Sequence, residues 1–170
     1  MSEEYSKSRR QFIGYAIGGV AGVVSLGYAV PIINYIVSPS LSRPEPPWSQ
    51  VGKVDDLVVD RPVSLRITEH EKIGWQDKSV SHDIWVVKSA DGMITAFSPV
   101  CPHLGCGYRW DQETGQFVCP CHLSMFDIKG TVLGGPAPRN LDTLDTKVED
   151  GVLHVKYEKF RLGVTDKVVA

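Results

Sequence analysis

Cys101-Pro102-His103-Leu104-Gly105-Cys106 and, twelve residues on, Cys119-Pro120-Cys121-His122-Leu123-Ser124 hold all four cysteines of the chain and two of its five histidines. The first segment reads Cys-x-His and the second Cys-x-x-His, with fifteen residues between His103 and Cys119. Each spacing fits a tight loop that aims two ligands at one point. Thiolate and imidazole suit zinc as well as iron–sulfur centres, so ligand type alone leaves a Cys2His2 zinc site open. Zinc fingers, however, open with a cysteine pair and close with a histidine pair, whereas each loop here supplies one of each. That mixture fits a two-iron cluster with two thiolates on one iron and two imidazoles on the other. Cys106 and Cys121 remain, one in each loop. Paired, they would clamp the loops together and contribute ~3 kcal/mol by closing a ring of about 16 residues, chemistry that an exported domain permits.

Outward from these loops the pattern is one of short alternating runs. Val63-Ser64-Leu65-Arg66-Ile67 and His82-Asp83-Ile84-Trp85-Val86-Val87 are rich in branched and aromatic residues and read as strands. Asp91-Gly92 precedes Met93-Ile94-Thr95-Ala96-Phe97, and Asp150-Gly151 separates Thr146-Lys147-Val148 from Val152-Leu153-His154-Val155. Both dipeptides are hairpin signals, so an antiparallel, all-β domain is expected over residues 48–170, with the metal-binding part at about 99–138. His70, His82 and His154 lie in runs without ligand spacing and read as surface or strand residues, and Trp85, Tyr108 and Trp110 as core packing.

The amino-terminal part is of another kind. Phe12 to Val37 contains no Asp, Glu, Lys or Arg, and at ~1.5 Å per residue it is long enough to cross a hydrocarbon core of ~30 Å. The apolar run exceeds that of a cleavable signal and lacks an Ala-x-Ala exit, so a retained transmembrane helix over residues 12–37 is expected. Lys7, Arg9 and Arg10 before it, against Arg43 after it, place the amino terminus in the cytoplasm and the β domain outside. Ser8-Arg9-Arg10-Gln11-Phe12-Ile13, within residues 1–11, resembles a twin-arginine export signal, a route for folded, cofactor-loaded proteins. Residues 38–47, with Pro39, Pro44, Pro46 and Pro47, read as a semi-rigid linker. A net charge of -2 without a basic stripe excludes a nucleic-acid partner.

Taken together, the two loops resemble the cluster-binding loops of Rieske iron–sulfur proteins, the leftover cysteines included. Gly134-Gly135-Pro136-Ala137-Pro138 resembles the proline loop that shields the cluster in Rieske subunits of cytochrome bc-type complexes. The resemblance implies one [2Fe–2S] cluster per chain, with Cys101 and Cys119 on one iron, His103 and His122 on the other, and a Cys106–Cys121 disulfide. It implies that His122 meets the quinol, with His103 near solvent, and that Ser124 hydrogen-bonds a bridging sulfide and raises the potential. Phe126 stands where high-potential members carry a tyrosine hydroxyl, which points to a lower potential and to menaquinol. Leu123 replaces the glycine common in the second loop, and Leu104 marks the tip of the first.

The implied function is that of an electron-transfer subunit of a quinol:cytochrome c oxidoreductase in a prokaryotic cell membrane, inactive as an enzyme alone. A proton and an electron leave quinol together through the ligand histidine, so the midpoint falls as pH rises. Cytochrome b, a c-type cytochrome and membrane lipid are the implied partners. The alternative is the Rieske small subunit of an arsenite-oxidase-type molybdoenzyme, against which the retained anchor and the Gly-Gly-Pro-Ala-Pro loop stand.

Overall fold

A computed structural model describes the backbone of residues 2–41, 46–73 and 76–170, and the side chains of 8–37, 46–69 and 78–170. The chain divides into two units, Met1–Glu45 and Pro46–Ala170.

The first unit is a single helix, α1 (Ser2–Leu41). Its stretch Ser8–Val37, 30 residues, is long and apolar enough to cross a membrane, spanning about 45 Å as a helix. Phe12, Tyr15, Ile17, Val23 and Leu26 all project outward uncovered, the surface that lipid rather than water tolerates, while the backbone satisfies itself within the helix. The helix differs from the expected 12–37 at both ends. It takes in residues 2–11, and it runs through Ser38–Leu41, which the sequence places in the linker. Pro39 lies within this last stretch of helix although it has no N–H to give it. Of the expected linker, 42–45 lie outside the described residues, and Pro46 and Pro47 have no regular structure.

The second unit is all β. Its strands are β1 (Trp48–Lys53), β2 (Val63–Ile73), β3 (Gln76–Lys88), β4 (Ile94–Phe97), β5 (Arg109–Asp111), β6 (Gln116–Val118), β7 (Met125–Phe126), β8 (Val132–Gly134), β9 (Thr143–Glu149) and β10 (Val152–Lys156). Six of them form one antiparallel sheet in the order β1-β10-β9-β4-β3-β2. Its two edge strands face each other across a narrow gap, where a Cβ on Gly52 of β1 would touch Leu65 of β2 at 3.7 Å. The sheet is therefore nearly closed, which hides most of its edge.

Alternation along the strands sends Ile67, Ile84, Val86, Ala96, Leu153 and Val155, all fully buried, into one core. Both turn dipeptides lie where expected. Asp150 and Gly151 have φ of 50° and 74°, the two positive values that a type I′ hairpin requires, and Val152 pairs directly with Glu149. Burial, and after it the Glu69 carboxylate, pushes the Tyr157 hydroxyl up to about 12. The His82 ring stacks on Tyr157 with centroids 4.2 Å apart, so His82 is a strand residue, as is His154 in β10.

Residues 98–142 form an insertion between β4 and β9 that carries the small sheet β5-β6-β7-β8. The insertion is tied shut at its root, where the Ser98 N–H donates to the Asp142 carbonyl at 2.8 Å. Phe97, Phe117, Phe126, Tyr108, Cys101 and Cys119 are buried together in a second core. Phe117 is its hub, edge-on to Trp85, Phe97, Tyr108 and Trp110. Aromatic packing of this kind makes a stiff base for the loops above it.

Candidate metal centre

The two cysteine- and histidine-bearing loops are the same loop built twice. Residues 101–106 are closed at the base by a Val100–Gly107 bridge, and residues 119–124 by the Val118–Met125 pair of β6 and β7. In the first, the Cys101 N–H donates to Cys106 O at 2.8 Å and the Gly105 N–H to Cys101 O at 2.9 Å. In the second, the Cys119 N–H donates to Ser124 O at 2.9 Å and the Leu123 N–H to Cys119 O at 3.0 Å. This pattern demands a left-handed residue in the fifth place, and Gly105 (φ 79°) and Leu123 (φ 57°) supply it. Leu123 keeps the geometry of a glycine position despite its side chain, which stands 66% exposed; a non-glycine residue holds this conformation at a cost of ~1–2 kcal/mol.

Superposed in this way, Cys101 and Cys119 occupy the first place of each loop. Both are free and buried, on the floor of the site. Cys106 and Cys121 are joined as a disulfide that locks the loops to each other. The sulfurs of Cys106, Cys119 and Cys121 lie within 4.8 Å of one another, but the disulfide leaves only Cys119 of these three able to bind metal. Above the thiols, His103 and His122 face each other with ring centroids 4.8 Å apart and planes at 87°. His103 is half-buried and His122 is exposed. Leu104, 62% exposed, and Leu123 rise beside them.

Burial pushes the Cys101 thiol up, and the neighbouring Cys119 sulfur adds to this, while the His103 backbone and the Ser124 hydroxyl act the other way. Two desolvated thiols side by side, with polar groups near one of them that favour its charged form, suit a pair of thiolates on a cation. Ser124 is fully buried, and its Oγ also accepts the Ala137 N–H at 3.2 Å. That bond joins the second loop to the segment Gly134–Pro138. Gly135, with φ 89°, lies directly on the loop backbone: a Cβ there would meet Ser124 Cα at 2.5 Å and Leu123 O at 2.6 Å. Phe126 is fully buried in the core below and offers no hydroxyl.

Tyr108, Trp85 and Trp110 do pack in this core. Tyr108 has a further part that the sequence does not reveal: its hydroxyl donates to Ser98 O at 2.7 Å, at the root of the insertion.

The nearly closed sheet with its inserted small sheet, and two paired Cys/His loops above a buried sulfur pair, define an iron–sulfur electron carrier. The Rieske [2Fe-2S] domain family matches residues 47–145, and the chain belongs to that family. Among its relatives, the menaquinol:cytochrome c reductase iron-sulfur subunit of Bacillus subtilis (strain 168) is 32% identical over 160 residues, covering 91% of this chain and 95% of that one. The cytochrome b6-f complex iron-sulfur subunit of Chlorobaculum tepidum is 31% identical over 147 residues, 86% of this chain and 74% of the other. Among solved structures, the cyanobacterial plasma membrane Rieske protein PetC3 from Synechocystis PCC 6803 shares 35% identity over 54% of this chain and 86% of its own, with a TM-score of 0.41. The cysteine-clustered site is that of a single [2Fe–2S] cluster, and the donor set present, two free buried thiols and two facing imidazoles, fits it.

Proposed function

We propose that this chain is the electron-transfer subunit of a membrane quinol:cytochrome c oxidoreductase, taking one electron at a time from quinol, menaquinol in particular, and passing it to a c-type cytochrome beside a cytochrome b. The observation that carries this reading is the likeness, along 91% of the chain and 95% of the relative, to a menaquinol:cytochrome c reductase iron-sulfur subunit.

In this reading Cys101 and Cys119 hold one iron and His103 and His122 the other. The bound cluster supplies storage for a single electron. His122, exposed at the loop tip, accepts the hydrogen bond of the quinol hydroxyl and takes its proton. Leu104 and Leu123 keep water from that contact by presenting apolar surface on either side. The disulfide holds the two imidazoles in register, a bond in keeping with a domain outside a reducing cytoplasm. Lys7, Arg9 and Arg10 keep the amino terminus on the cytoplasmic side, with the β domain across the membrane. The lack of a hydroxyl at Phe126 favours a low potential and with it menaquinol.

In membranes of cells producing the full chain, added menaquinol is expected to raise the reduced-state EPR signal and oxidised cytochrome c to remove it. A signal that answers dithionite but no quinol contradicts the assignment. Ser124→Ala is expected to move the midpoint negative, because a bridging sulfide of the bound cluster would lose a donor, and to cost ~1–3 kcal/mol of stability, because the Ala137 N–H is left unpaired. Redox titration and denaturant unfolding of the same sample check both; an unmoved midpoint removes Ser124 from the tuning of the site.

A further inference from the structure

The carboxy-terminal residues lie beyond the matched 47–145, yet they reach the first ligand loop. After β10 the chain folds back on itself, with Arg161 N–H donating to Val168 O and Ala170 N–H to Lys159 O, each at 2.8 Å. Phe160, 5% exposed, roots this strap in the main core. At the tip, the Gly163 N–H donates to Pro102 O at 2.9 Å, and Leu162 packs so closely on Gly105 that a Cβ there would lie 2.8 Å from Leu162 Cδ1.

Arg139, directly after the proline loop, holds the strap from beneath. Its guanidinium grips both oxygens of Asp142, at 2.9 and 2.8 Å, and donates to the carbonyls of Arg161 and Val164. The two side chains are 8% and 1% exposed. A buried fork with its donors engaged on both sides is a rigid joint, and one partner removed leaves the other uncompensated.

The bonded atom on the loop is what gives this joint a use. The Pro102 carbonyl and the His103 N–H are the two ends of one planar peptide unit. The strap takes the carbonyl end, and the N–H end belongs to His103 inside the first loop, two residues from Cys101. We propose that Arg139 and the Leu162-Gly163-Val164 tip are positioning residues that set the electronic state of the site by fixing the Pro102–His103 peptide between the Cys101 and His103 side chains. The proposal rests on Cys101 being a cluster ligand. The strap then serves the first loop as the proline loop serves the second, and bonding at the carbonyl polarises the N–H at the other end.

The test uses the loaded, full-length protein with Leu162→Ala, Gly163→Ala and Arg139→Lys, and Leu162→Met as the conservative control. The first three are expected to shift the midpoint negative and change the EPR g values. They should also speed amide exchange of His103–Gly107 about tenfold, with exchange in β2, β3 and β10 unchanged; Leu162→Met restores the parent values. Unmoved midpoint and loop exchange overturn the proposal, as does exchange that rises uniformly across the domain, the mark of a merely structural strap. A parent protein without a histidine-ligated signal overturns the ligand reading instead, and since exchange needs no cluster, an unprotected or unresponsive loop then overturns the strap's hold separately.

Discussion

Gly135→Ala is expected to destabilise the domain by about 3 kcal/mol or more and to strip it of cluster. Two costs combine. The residue sits at φ 89°, a conformation that costs an L-residue ~1–2 kcal/mol. The new methyl would also meet Ser124 Cα at 2.5 Å, Leu123 O at 2.6 Å and Ser124 N at 2.8 Å, all backbone atoms that no rotamer change can move aside, and overpacking of this kind costs ~1–3 kcal/mol. The only relief is for the proline loop to lift away. That breaks the Ala137–Ser124 bond and withdraws Ala137 from the core it shares with Cys101. Denaturant unfolding and iron content after purification measure the two effects. Gly107→Ala in the same domain, where a Cβ meets nothing within 4 Å, is the matched control. Wild-type iron content and stability in Gly135→Ala would mean that the proline loop does not press on the second ligand loop.

The second large effect belongs to the disulfide. Replacing Cys106 and Cys121 together by alanine opens a link across a sequence separation of 15, worth ~3 kcal/mol in unfolded-chain entropy. The consequence for the site is more specific than that loss. Each loop keeps its own hydrogen bonds, so each remains a loop, but nothing covalent then holds His103 opposite His122. Unfolding is expected at markedly lower denaturant, with the cluster lost well before the sheet unfolds, so that visible absorbance and far-UV circular dichroism separate into two transitions. A single coincident transition at the parent midpoint would show that the bond between the loops contributes neither stability nor register.

Much of this centre was legible in the chain because its determinants are local. The cysteines and histidines of the two loops, with their spacings, sit within residues 101–124, and Asp150-Gly151 marks its own turn because only certain residues accept two positive φ values in succession. What was illegible depends on long-range contact. Leu123 does not announce that it stands in a glycine's conformation; only the matching hydrogen bonds of the two loops reveal it. Arg139 carries no mark of its place, since its carbonyl partners lie 22 and 25 residues away and backbone acceptors leave no trace in a sequence. The helix runs past Val37 into Ser38–Leu41 for a related reason: proline marks where a helix is weakened, and not always where it stops.

If Cys101, His103, Cys119 and His122 hold a [2Fe–2S] cluster whose electron moves with a proton through an exposed imidazole, an EPR-monitored redox titration of the loaded full-length protein across pH will show it. The expected result is the reduced-state spectrum of a histidine-ligated [2Fe–2S] centre and a midpoint that falls as pH rises. A metal-replete protein with no such spectrum, or one whose midpoint is the same at every pH, would contradict that reading.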